Sequence, residues 1–107
     1  MSQFSGVYDP DRRSWFLLRD GAPITPARSQ ALRNHSPTGF AWGYGGSGPA
    51  QTSLALLLEL GLSDEDALAM CQAFKWAFVA ALPLDKSWTR SEGTLLSLVA
   101  VLREAKQ

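Results

Sequence analysis

Glycine is concentrated in one stretch of this chain, immediately before its most apolar segment. Residues 43–48 are glycine at every position except Tyr44 and Ser47, and Pro49 follows. Residues 54–60 are apolar apart from one glutamate. Glycine adopts backbone conformations that other residues avoid, so such a stretch allows a tight turn. An apolar run without strand alternation is typical of a helix that is buried on most sides. The pattern therefore predicts a tight turn that opens a buried helix.

The first predicted helix covers residues 48–60. Ser47 or Gly48 is the expected N-cap, and Pro49 then takes the first helical position, where its missing N–H costs little. Gly61 fits the left-handed conformation that commonly follows the last turn of a helix.

Two further helices are predicted in the second half of the chain. Ser63 is a capping residue followed by three acidic residues, which favours a helix over residues 64–82. Thr89 and Glu92 form another capping pattern, which predicts a last helix over residues 91–105. The apolar residues of the middle helix recur at helical spacing and form one stripe. This stripe consists of Ala67, Cys71, Phe74, Phe78 and Ala81.

Short runs of β-forming residues, separated by turn residues, occupy the N-terminal part of the chain. Asp20-Gly21 is a typical two-residue hairpin turn. Residues 39–44 alternate aromatic with small residues and are interpreted as a separate short strand. The strands predicted to form an N-terminal meander are residues 4–8, 14–19 and 22–25.

Strands followed by helices predict an α+β fold, here a small N-terminal antiparallel β-sheet followed by three helices. Hydrophobic residues make up 46% of the chain and charged residues 19%, which is typical of globular proteins. The 107 residues suit one domain, β-rich over residues 1–46 and helical over residues 47–107.

Charge and composition exclude several classes of protein. The formal net charge is zero, which argues against a nonspecific nucleic-acid binder held by bulk charge and against an acidic DNA mimic. The single cysteine cannot form an internal disulfide. Residues 1–4 lack the features of a signal peptide, and no apolar run approaches the ~18 residues that span a bilayer. We therefore expect a cytoplasmic protein without a membrane partner.

The glycine-rich turn is a candidate anion site. Backbone N–H groups at a helix N-terminus attract anions, and the side chains of Ser47 and Gln51 could add hydrogen bonds. The turn lacks the Gly-Lys-Ser/Thr of a P-loop, and its match to G-x-G-x-x-G has no βαβ unit around it. A turn that only connects the aromatic strand to the helix is the favoured interpretation.

His35 is the only histidine in the chain. A catalytic role would require a nucleophile or an orienting carboxylate, and Ser36 and Ser47 are candidates by sequence proximity alone. A structural hydrogen bond is the favoured role. One histidine and one cysteine, Cys71, cannot make an ordinary zinc site without two carboxylates, and we expect neither a metal nor a cofactor.

Aromatic and arginine residues are the candidates for contact with a partner. Trp42 and Tyr44, with Arg33 upstream, could stack on a base or a partner side chain, or could instead cover the first helix. Trp76 falls off the apolar stripe of the middle helix and is expected to be a partly exposed anchor. The other two candidates are Arg12 and Arg13.

Residues 33–51 resemble a family of small bacterial, plasmid and phage proteins of unknown function. The shared pattern is His-Ser-Pro-Thr-Gly-Phe-x-Trp-Gly-Tyr-Gly-Gly-Ser-Gly-Pro-Ala-Gln, and Ala41 stands where that pattern usually has a glutamate. The likeness extends more weakly to residues 72–75, 82–83 and 88.

The resemblance implies a mobile-element context and brings no activity with it. Small proteins of such genomes often bind host machinery, anti-CRISPR and anti-restriction proteins being examples. The leading hypothesis is a non-enzymatic interaction protein that binds a host protein or ribonucleoprotein complex, such as an inhibitor of a host defence complex. One alternative is a nucleic-acid or nucleotide-binding module that uses the glycine-rich turn. The other is a small enzyme that uses His35. The sequence leaves the oligomeric state open.

Overall fold

The fold is α+β, as the order of the predicted elements indicates. A computed structural model describes residues 1–105. Its elements are β1 (Gln3–Asp9), β2 (Ser14–Arg19), β3 (Ala22–Ile24), α1 (Ala27–Leu32), α2 (Ser47–Glu59), α3 (Asp64–Phe74), a π-helical segment (Lys75–Val79), β4 (Trp88–Ser91) and α4 (Glu92–Ala105). The strands form one four-stranded antiparallel sheet in the order β3-β2-β1-β4.

The predicted N-terminal meander is confirmed. β1 pairs with β2, and β2 pairs with β3. β2 has the predicted bounds. In the turn between β2 and β3, Asp20 has φ 51° and Gly21 has φ 80°. Two successive positive φ angles give the turn whose twist matches that of the strands it connects.

The sheet is not confined to the N-terminal part, because β4 pairs with β1 from near the other end of the chain. Thr89 lies in this strand opposite Ser5, so the prediction that Thr89 caps the last helix is wrong. Ser91 takes that role, since its Oγ accepts a hydrogen bond from the Thr94 N–H at 3.1 Å. The sequence also did not indicate α1. With α1 included, residues 1–105 contain four α-helices, whereas three were predicted.

The predicted aromatic strand is absent, since residues 39–44 are irregular. Phe40 and Trp42 are nevertheless buried. The backbone between them bonds to a side chain of α2 and not to a neighbouring strand, because Ala41 exchanges hydrogen bonds with the Thr52 hydroxyl. The period-two alternation therefore reflects packing on a helix.

α2 begins and ends one residue earlier than predicted. Gly46 is its N-cap, without a side-chain hydrogen bond, so Pro49 occupies the third helical position and not the first. Gly61 has φ 94° and follows the helix as predicted. The Leu62 N–H bonds to the Leu57 carbonyl at 3.2 Å, a bond that belongs to the glycine-terminated helix end.

The middle helix is shorter than predicted. Ser63 caps α3 as expected, because its Oγ accepts a hydrogen bond from the Asp66 N–H at 3.1 Å. The helix then continues as the π-helical segment. A π turn holds an extra residue, which shifts the following side chains around the axis. Ala81, predicted on the apolar stripe, is consequently exposed, whereas Leu82 is buried.

α2 lies at the centre of the core. Its residues from Gly48 to Leu58 are all buried, and α1, α3 and the π-helical segment pack against it. In α4, Leu95 and Val99 are buried. Within residues 1–105, no helix is long and apolar enough to cross a membrane.

Phe74→Ala should lower the free energy of unfolding by about 3–5 kcal/mol, because truncation of a buried aromatic side chain leaves a cavity. The Phe74 side chain is fully buried, and its ring lies 5.6 Å from that of Phe78. Denaturant unfolding measures the effect. Val101→Ala, at an exposed position of α4, is the control and should change stability by less than about 0.5 kcal/mol. Equal effects of the two variants would contradict this core assignment.

Candidate functional site

A buried amide holds the segment before the glycine-rich turn on α2. Gln51 has no exposed surface. Its Oε1 accepts hydrogen bonds from the backbone N–H of His35 at 2.7 Å and of Ser36 at 3.0 Å. Its Nε2 donates to the Ser29 hydroxyl at 2.9 Å and to the Arg33 carbonyl at 3.2 Å. All four hydrogen-bonding positions of the amide are therefore used inside the protein, which leaves none for the ligand role that the sequence suggested.

The next residue of α2 fixes the next part of the segment. The Thr52 hydroxyl lies 2.7 Å from the Ala41 carbonyl oxygen, to which it donates, and accepts from the Ala41 N–H at 3.1 Å. Trp42 follows, fully buried, with its indole N–H donating to the Lys86 carbonyl at 2.8 Å. Its ring therefore covers the core and has no exposed face for stacking on a base.

The glycines of the turn lie where side chains would collide with neighbours. Gly43 has φ 90°, and a Cβ there would lie 2.6 Å from the Leu84 Cα. A Cβ at Gly45 would overlap the Trp76 ring. Close approach of another chain segment and of an aromatic ring thus explains these glycines, in agreement with the favoured sequence interpretation of a structural turn.

Two exposed rings pack on this turn, and the backbone of a third exposed apolar residue contacts it; we call these three residues the aromatic face. They are Tyr44, Trp76 and Leu84, with exposed fractions of 46%, 61% and 56%. The Trp76 ring packs on Gly45, and the Tyr44 ring lies beside Gly46. The turn therefore provides a backbone support for a surface-exposed aromatic cluster.

Positive charge lies next to the aromatic face. Lys75 is only 7% exposed, and its Nζ lies 4.5 Å from the centre of the Trp76 ring. The exposed Arg33 lies close enough to His35 to affect its ionisation, as does Lys75. In the part of the chain that the structure describes, neither cation has a carboxylate within ion-pair distance. Buried lysine is usually paired, so this region carries uncompensated charge.

His35 is partly buried beside these cations. Burial, followed by the charges of Arg33 and Lys75, lowers the pKa of His35 below its ordinary value and favours the neutral ring. Among residues 1–105, no hydrogen bond joins this ring to Ser36, Ser47 or any other group, so the structural hydrogen bond expected of the ring is absent. The backbone N–H of His35 donates to Gln51 Oε1 instead. Over the same residues, no three His, Cys, Asp or Glu side chains are grouped to hold a metal ion.

The remaining candidates lie elsewhere. Arg12 is exposed in the β1–β2 turn, with its Nε 3.8 Å from an Asp9 carboxylate oxygen. Arg13, Ser47 and Tyr44 line a groove of 540 Å³ beside β2. Tyr44 thus belongs both to the aromatic face and to this groove.

Sequence reasoning missed Lys75, a buried cation beside the Trp76 ring, and Leu84, an exposed residue at the turn. Lys75 stands directly before the predicted anchor Trp76, and this Lys-Trp pair was the available signal. Leu84 follows Pro83 outside any predicted helix, and only its contact with Gly43 places it at the turn.

Residues 4–101 match the model of a family of unknown function, DUF6166, and the chain belongs to this family. Comparison with curated proteins gives no match, and comparison with solved structures gives none either.

Gln51→Leu should lower the free energy of unfolding by at least about 3 kcal/mol, because each buried group left without a partner costs about 1–3 kcal/mol. Ser47→Ala is the control, since Ser47 is exposed and should change stability by less than about 0.5 kcal/mol. Denaturant unfolding compares the two variants. A Gln51→Leu variant as stable as the wild type would show that the amide is not a structural clamp.

Proposed function

We propose that this chain is a non-enzymatic binding protein that engages a macromolecular partner through the aromatic face. The observation that carries the proposal is Trp76, which is 61% exposed although its ring is held against the glycine-rich turn. Grouped exposed apolar side chains mark interaction surfaces, and tryptophan and tyrosine are enriched among binding hot spots. A side chain that is already held in place loses less entropy on binding.

The charge beside the aromatic face favours an acidic partner surface. Lys75, whose Nζ lies 4.5 Å from the centre of the Trp76 ring, lacks a carboxylate partner among the described residues. An acidic group of a partner would supply the missing counter-charge and would accelerate association at low ionic strength.

We further propose that the partner is a protein or ribonucleoprotein complex of a bacterial host, and that the chain acts as a stoichiometric inhibitor of the host defence type. The support is the resemblance of residues 33–51 to proteins of phages and plasmids. A cytoplasmic location would follow from such a target.

Nucleic-acid binding is a second candidate function. Exposed rings beside cations, here Trp76 with Lys75, are also the chemistry that binds single-stranded nucleic acid. The zero net charge favours the protein partner, because nucleic-acid binding draws most of its affinity from positive charge.

Trp76→Ala should weaken the association with a partner captured from a host lysate by about tenfold or more, since loss of a tryptophan hot spot costs ~2 kcal/mol or more. Its melting temperature should stay that of the wild type, because the side chain is mostly exposed. Titration of a fixed amount of the captured complex should reach full inhibition near one equivalent, because a blocker occupies one site per molecule.

Val101→Ala is the matched control, since Val101 is equally exposed but lies on α4, and it should bind like the wild type. Complete inactivation far below one equivalent would demonstrate turnover and contradict a non-enzymatic role. Equal loss of binding in both variants would contradict the assignment to the aromatic face. Competition by a single-stranded oligonucleotide would favour the nucleic-acid alternative.

A further inference from the structure

The β2 strand has an unpaired edge beside the groove of 540 Å³. β3 pairs only with residues 17–19 of β2. The two-residue turn makes Arg19 and Ala22 a hydrogen-bonded pair, so Leu17 and Ile24 are the next such pair. The Asp20 N–H bond to the Gln3 carbonyl at 2.8 Å agrees with this alternation, since it lies on the opposite side of β2.

The same alternation directs the backbone N–H and C=O of Trp15 toward the side of β2 on which β3 lies. β3 does not extend as far as Trp15, so it does not pair with these two groups. No group of residues 1–105 forms a hydrogen bond with this N–H or C=O. The indole N–H of Trp15 also has no acceptor in the described chain, although it is buried. Trp15 lines the groove, so the unpaired backbone edge faces a space that another chain segment can enter.

The groove combines apolar walls with one positive charge. Phe16 and Tyr44 contribute rings that are each 46% exposed. Among residues 1–105, Arg13 is the only charged residue that lines the groove, and it has no carboxylate partner there. Arg13 also has φ 50°, a left-handed conformation that is uncommon for arginine.

The outer edge of β3 is a poor site for strand addition. Because the backbone N–H and C=O of Ile24 point toward β2, the backbone nitrogen of the neighbouring Pro23 points away from β2. Proline has no N–H that it could donate to an added strand. The available edge is therefore that of β2 at Trp15.

We propose that the groove binds an extended, acidic segment of a partner protein, which adds as a short strand beside Trp15 and places a carboxylate on Arg13. Backbone hydrogen bonds of an added strand supply affinity, and side-chain contacts supply specificity. The inference deepens the proposed binding function and rests on its partner being a protein. Tyr44 connects the groove to the aromatic face, so one partner can contact both.

The probe is the peptide acetyl-Glu-Val-Thr-Val-Glu-amide, added to the full chain at low ionic strength and followed by amide hydrogen exchange in NMR. Exchange of the Trp15 amide should slow by about tenfold at saturation, because the amide gains an acceptor. The same peptide with lysine in place of both glutamates should bind at least about fivefold more weakly. A peptide N-methylated at the central threonine and a peptide N-methylated at the flanking valines should differ in affinity, because only one set of amides faces β2.

Arg13→Gly removes the guanidinium and suits the left-handed backbone at this position. The variant should therefore bind the acidic peptide more weakly, and its melting temperature should not fall. Arg103→Ala removes an exposed arginine of α4 and is the control. Three results would overturn the proposal. They are an unchanged exchange rate of the Trp15 amide, equal affinities for the acidic and the basic peptide, and a hexathymidine oligonucleotide that slows this exchange as much as the acidic peptide does. Trp76→Ala should leave peptide binding intact, so failure of the groove is distinguishable from failure of the aromatic face.

Discussion

The hydrogen bonds of the Gln51 side chain are the interaction on which the position of residues 29–36 on α2 depends. The amide lies inside the protein and joins α2 to α1 through Ser29 and to the following segment through Arg33, His35 and Ser36. A buried amide of this kind is stabilising only when all its hydrogen bonds are formed. The segment therefore has one position on the helix, and the chain leaves it in a fixed direction toward the glycine-rich turn.

The glycine-rich turn follows this segment and supports the exposed side chains of the aromatic face. Thr52 holds Ala41, and the Gly43 N–H bonds to the Val79 carbonyl at 3.0 Å, which ties the turn to the π-helical segment. That segment also carries Trp76, whose ring rests on Gly45. The glycines are therefore explained by packing, and the proposed function belongs to the side chains that they support.

Local sequence signals predicted those elements that local interactions determine. The turn at residues 20–21, the helix end at Gly61 and the cap at Ser63 each depend on neighbours within a few residues, and each is confirmed. β4 was missed because a four-residue strand is stabilised by pairing with β1, more than 80 residues away, as in Ser5 opposite Thr89. At the candidate site, the exposure of Trp76 followed from helical spacing, whereas the internal role of Gln51 required the positions of partners 15 to 22 residues away.

The most direct test of the clamp is hydrogen exchange of the Ser36 amide in the native protein. This N–H lies in a segment without regular secondary structure, and its acceptor is the buried Oε1 of Gln51 at 3.0 Å. If the amide of Gln51 fixes the segment, the Ser36 amide should exchange only through an opening whose free energy is close to that of global unfolding. Exchange near the rate of an unstructured peptide would contradict this account.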